Sequence, residues 1–121
     1  MPTTFADYAA QQEARENIAN AVLRHTLALC EALRHNYVEK YGRDGYEFYP
    51  ETGRKYHKII MSDSSGHRSV HAFIDKKTGS VYKPASIKSP AKGERYNVLV
   101  INSREQMLEN ATWHGSYLYK R

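Results

Sequence analysis

Between Arg54 and Tyr96 the chain carries ten lysines and arginines against three acidic residues, with the aromatics Tyr56, Phe73, Tyr82 and Tyr96 in the same stretch. Cations at that density can neutralise phosphates, and flat rings between them can stack on unpaired bases. The chemistry such a stretch suggests is polyanion binding. Arg54, Lys55, Lys58, Lys83, Lys88, Lys92 and Arg95 are the expected phosphate contacts, and Phe73 and Tyr82 the expected stacking rings. The same rings have a second physical use, since cross-strand aromatic pairs stabilise a sheet with no ligand at all.

Catalytic chemistry is less well supported. His71 and Asp75 are four apart in SVHAFID, which puts them on one face of a strand and invites an acid/base pair. Positions four apart in a strand are about 13 Å from each other, too far for contact. Asp75 also has a local structural role. In DKKTG an aspartate before the turn accepts backbone N–H groups while Gly79 takes a positive φ. The six histidines show no ligand spacing of the H-x-x-x-H type on a helix, and no phosphate-loop, dinucleotide or serine-nucleophile motif is present. Asp75 followed by Lys83 superficially resembles restriction-type nuclease cores, but Val81-Tyr82-Lys83 lacks the acidic residue two before the lysine. No catalytic residue, metal or cofactor is therefore expected. A small nuclease using His71 with Arg95 or Lys83 is kept as a third alternative.

The elements that must position these residues follow from periodicity. Ile18, Val22, His25, Leu29, Leu33 and Asn36 mark one helical stripe, and Leu23, Leu27, Cys30 and Tyr37 a second beside it. This predicts one helix over 7–41, capped by Asp7 and stopped by Gly42, spanning roughly 50 Å. Such a helix either breaks near Glu16 or projects, and the excess would suit homo-oligomerisation. Strands are expected at 55–63, 69–75 and 80–83 as an antiparallel meander, with Val70, Ala72, Ile74, Val81 and Ile60 buried under the helix. In this reading His71, Phe73 and Tyr82 share the open face. A cationic loop follows, then an apolar run over 97–101. A short helix with a Ser103–Gln106 capping box comes next, and WHGSYLYKR is a candidate C-terminal edge strand. The fold class is α+β in a single domain, 1–121, whose β-rich basic part is 46–121.

Composition narrows the setting. The lone Cys30, in LALCEAL, excludes an internal disulfide and reads as a buried helix cysteine. No apolar run approaches the roughly 18 residues of a membrane helix, and the opening MPTTFADYAAQQEARENI is polar, so a cytoplasmic protein with no membrane partner is expected. Residues 1–51 carry a net charge of −3 and residues 52–121 a net charge of +8, so an anionic partner is expected to meet the second half.

Three separated blocks, GRKYHKI, SVHAFIDKKTGSVYKPASIKSPAKGERYN and GSYLY, resemble small uncharacterised proteins of tailed bacteriophages over roughly residues 53–119. Ile87 stands where that pattern commonly has an aromatic. The resemblance implies a phage-encoded protein acting in the bacterial cytoplasm or packaged in the virion, and it carries no activity with it. Two functional classes follow. The first is a non-enzymatic accessory protein binding DNA or RNA through the basic hairpin and loop. The second is a protein-binding factor, a virion component or an inhibitor of a host enzyme. It would use the long helix as its interface and dock an acidic host or phage protein on the basic loop.

Overall fold

The computed structural model describes residues 4–119. Helix α1 runs unbroken from Phe5 to Tyr41. Its N-cap is Thr4 and not Asp7: Thr4 Oγ1 accepts the Asp7 N–H at 3.1 Å, which leaves the Asp7 carboxylate in the first turn, where the helix dipole favours it. Gly42 ends the helix as expected, with φ 75° and its N–H donated to the Val38 carbonyl at 2.6 Å. Only the second half of α1 packs. Val22, Thr26, Leu29, Cys30 and Leu33 are buried, whereas every residue from Thr4 to Asn20 is exposed. At 1.5 Å per residue the unpacked part reaches about 24 Å beyond the domain. The helix therefore projects and does not break.

The sheet has five antiparallel strands in chain order: β1 (Tyr46–Thr52), β2 (Tyr56–Asp63), β3 (Arg68–Asp75), β4 (Ser80–Tyr82) and β5 (Tyr96–Asn97). Two of them lie outside the expected meander. β1 contains Pro50 opposite Ile59, which an edge strand tolerates because its outward N–H positions have no ladder partner. β5 supplies the other edge in place of the tail. In the tail Tyr117 and Leu118 are both buried, a pattern no alternating edge strand can make, and Ser116–Leu118 form a short 3₁₀ turn. Lys120 and Arg121 of the expected strand lie outside the described residues. Helix α2 (Ile101–Asn110) starts at Val100 without the Ser103–Gln106 capping box, because Ser103 Oγ instead accepts the Asn97 N–H at 2.8 Å.

The core lies between α1 and one sheet face. Leu29, Cys30 and Leu33 meet Ile59, Ala72, Ile74 and Val81, closed off by Val98, Met107 and Leu118. Cys30 is buried there, and burial pushes its thiol up to about 12, which makes it a packing residue. One irregularity decides what faces the core. Ile59 pairs with Ala72 and Ile60 with Val70, so His71 has no opposite residue. A bulge of this kind re-aims a side chain, and it turns His71 to the core face against Phe48, whose ring centroid is 5.8 Å away. Beyond the bulge the alternation is reversed. Val70 and Ile60, expected under the helix, lie by alternation on the opposite face, where Ile60 is buried and Val70 half-buried.

Candidate nucleic-acid interface

The register places Lys58, Phe73 and Tyr82 in one row across β2, β3 and β4, on the face away from α1. Two residues along, about 7 Å, Tyr56 pairs with Asp75 at the mouths of the β1–β2 and β3–β4 turns. The rings of this corner pack edge to face. Tyr56 lies 5.6 Å from Phe73 at 83°, and 6.3 Å from Tyr82 at 87°. Packing of this kind corrects the expected role of Phe73: it is 1% exposed and has no surface for a base. Tyr82 is half-buried, and Tyr96 belongs to the core.

Each turn is fixed by its own chemistry. Asp75 Oδ1 accepts the N–H groups of Lys77 at 2.8 Å and Thr78 at 3.0 Å, as expected of a turn-forming aspartate. Gly79 has φ 78°, and a Cβ there would lie 2.8 Å from Leu99 Cγ, so both conformation and space require glycine. A polar knot backs the turn: Ser80 Oγ donates to Glu94, and Asn97 Nδ2 donates to Thr78 O at 3.0 Å and Glu94 at 3.1 Å. The two turns are tied together, since the Lys76 N–H donates to Lys55 O at 3.0 Å and Lys76 Nζ to Gly53 O at 2.8 Å. Arg54, Lys55, Lys76 and Lys77 therefore sit together at one end of the sheet. Lys76 and Lys77 belong to that group although they were not among the expected contacts.

The remaining expected cations join the same corner through the 83–95 segment, which is an ordered closed loop. Ala91 N–H donates to Lys83 O at 2.8 Å, Pro84 bridges Pro90, and Ser86 Oγ accepts the Lys88 and Ser89 N–H groups. Lys58 Nζ donates to Ile87 O at 2.7 Å and pins the loop to the sheet. Lys88 and Lys92 are exposed on this loop, and Arg95 is half-buried where it enters β5. Three ammonium groups are seated on rings of this chain: Lys55 at 5.3 Å from the Tyr56 centroid, Lys58 at 5.8 Å from Phe73, and Lys83 at 4.4 Å from Tyr119. The structure thus gathers the sequence-derived cations but gives the rings a different use.

His71 is removed from this surface by the bulge. Its Nε2 lies 2.8 Å from Tyr117 Oη, and burial holds the imidazole down to about 4 and pushes the Tyr117 phenol up. A neutral, enclosed ring cannot reach a phosphodiester, so a nuclease built on His71 has no accessible base. Among the described residues no group of three or more His, Cys, Asp or Glu is placed to hold a metal ion.

A second region was not expected from the sequence. At the far end of the strands Trp113 stacks on Tyr46 at 5.4 Å and 17°, and Tyr37 meets both edge-on. Asn36 Oδ1 accepts the Trp113 backbone N–H at 3.0 Å and fixes the tail to α1. Beside it a cleft of about 560 Å³ is lined by Arg34, Asp44, Glu47 and Asp63. Arg34 is already committed to Glu31 and Asp44, at 3.0 and 3.1 Å. The four-residue spacing of Tyr37 and Tyr41 was the one local hint of this cluster, because Trp113 comes to it from a distant part of the chain.

A family of unknown function, DUF7717, matches residues 5–120. The chain belongs to this family. The match takes in α1 as well as the basic blocks, so the DUF7717 unit includes the projecting helix and the sheet corner together. No curated protein and no solved structure matches the DUF7717 chain. Among its described residues no helix is long and apolar enough to cross a membrane.

Proposed function

We propose that this DUF7717 protein is a non-enzymatic nucleic-acid-binding factor whose contact surface is the basic sheet corner: Arg54, Lys55, Lys58, Lys83, Lys88, Lys92 and Arg95, extended by Lys76 and Lys77. The observation that carries this reading is the seating of Lys55, Lys58 and Lys83 on rings of the same chain, beside a loop pinned through Lys58. Holding flexible lysines in place lowers the entropic cost of bringing them to a phosphate array. The resemblance of the same blocks to tailed-phage proteins supports a phage-encoded factor working in the host cytoplasm or carried in the virion. Gel-shift titration at low salt tests the reading. Binding should be abolished when Lys58, Lys88 and Lys92 are replaced by Glu, and retained in a variant altered only at Glu13 and Glu16.

The unpacked first turns of α1 favour a second reading. Phe5 is 89% exposed, and Tyr8 and Ile18 are also exposed, on turns of α1 that no other described residue covers. In this reading α1 docks on a protein partner, either a second copy or a host or phage protein. Removing the apolar side chains of Phe5, Tyr8 and Ile18 should then abolish partner capture and leave gel shifts unchanged.

A further inference from the structure

Resting on the nucleic-acid reading above, we infer that the basic corner takes duplex backbone, and not unpaired bases. Proteins that grip single strands present open aromatic faces on which successive bases stack, each worth about 1–3 kcal/mol. The rings of this corner are spent otherwise. Phe73 is 1% exposed, with Tyr56 against its edge and Lys58 Nζ above it. Tyr56 packs on Phe73 and Tyr82 and carries Lys55 Nζ at 5.3 Å. Tyr119, exposed at the rim, holds Lys83 Nζ at 4.4 Å over its ring. Each of these rings works as a seat for an ammonium group, and what the corner turns outward is charge.

The spacing of that charge fits a backbone lattice. Lys58 and the start of the 83–95 loop are two strands apart, about 10 Å, and the Arg54–Lys55 turn lies about 10 Å from Lys58 along β2. The tie between Lys76 and Lys55 O adds cations beside that turn at a fixed position. An array extended in two directions can meet more than one phosphate row. A duplex offers two rows, with one charge per about 1.7 Å of axis, against about 3.4 Å for one strand. The corner's cations are mostly lysines, compact charges that suit phosphates, and either a DNA or an RNA duplex can supply them.

The test is fluorescence anisotropy of the full chain with labelled DNA duplex, RNA duplex and single strands of equal length at one low salt concentration. The expected result is that at least one duplex binds about tenfold or more tighter than its single strand, given the doubled charge density. Replacing Tyr119 with Leu should weaken duplex and single-strand binding by a similar factor, since the ring seats Lys83 and stacks on no base. Single strands bound as tightly as duplex, or a severalfold loss in Tyr119→Leu confined to single strands, would overturn the duplex inference and leave nucleic-acid binding standing. Absence of binding to every probe would overturn both.

Discussion

The two faces of the sheet handle their polar groups in opposite ways. On the face under α1, His71 is turned inward by a bulge, paired with Tyr117 and kept neutral. On the other face Lys58 lies over a buried Phe73 and keeps its ammonium at the surface, where it donates to Ile87 O. Both faces bury an aromatic layer, but only one of them turns charge outward. Burial by itself therefore does not distinguish the two faces; the place where the cations emerge does, and under the proposed function that place is the contact surface.

The sharpest way to break that comparison is to remove the ring beneath the lysine. Phe73→Ala should cost about 3–5 kcal/mol in urea unfolding, as for a large core residue. Phe73→Leu should lose much less and still bind duplex. If Phe73→Ala were nearly neutral in stability and lost binding, the ring would be a ligand surface after all.

The core face makes the next largest prediction. His71 titrates near 4 in the folded chain against 6.5 when unfolded, because it is buried. Between those values the unfolded chain binds the proton and the folded chain does not. Stability is therefore full above pH 6.5 and falls as pH drops toward 4, by about 3 kcal/mol from this group. His57, also lowered by burial and then by the Lys76 charge, acts in the same direction. Denaturant midpoints measured at pH 7 and pH 4.5 should converge markedly in His71→Gln, which keeps a polar partner for Tyr117 and cannot titrate.

Much of this was legible in the chain, and the rest has physical causes. The α1 stripe, the Gly42 stop, the Asp75–Gly79 turn and the Phe73–Tyr82 pairing are local, and spacing alone reveals them. The side on which His71 lies was not legible, because one unpaired residue reverses the alternation and only the β2 register exposes it. β1 was hidden by Pro50, which reads as a strand breaker until the strand is known to be an edge. The cations of the site were legible as composition. Their seating was not, because Lys83 meets Tyr119 and Lys58 meets Ile87 O only after the chain has folded.

Smaller effects sharpen the same contrast. Lys58→Met should change stability by about 1 kcal/mol or less, the worth of an exposed cation–π contact, yet lower duplex affinity and its salt dependence. Deleting residues 1–17 should change unfolding stability by no more than about 0.5 kcal/mol, because residues 4–17 are all exposed. A larger loss would mean that the projecting turns of α1 support the core.

The most direct test of the central claim is the slope of log affinity against log salt for duplex DNA. Each phosphate neutralised contributes about −0.9. The wild-type chain should show a steep negative slope, and Lys58→Met and Lys83→Met should each lower its magnitude by about 0.9 per contact removed. A slope near zero, or one unchanged in both variants, would contradict the assignment of the basic corner as a phosphate-binding surface.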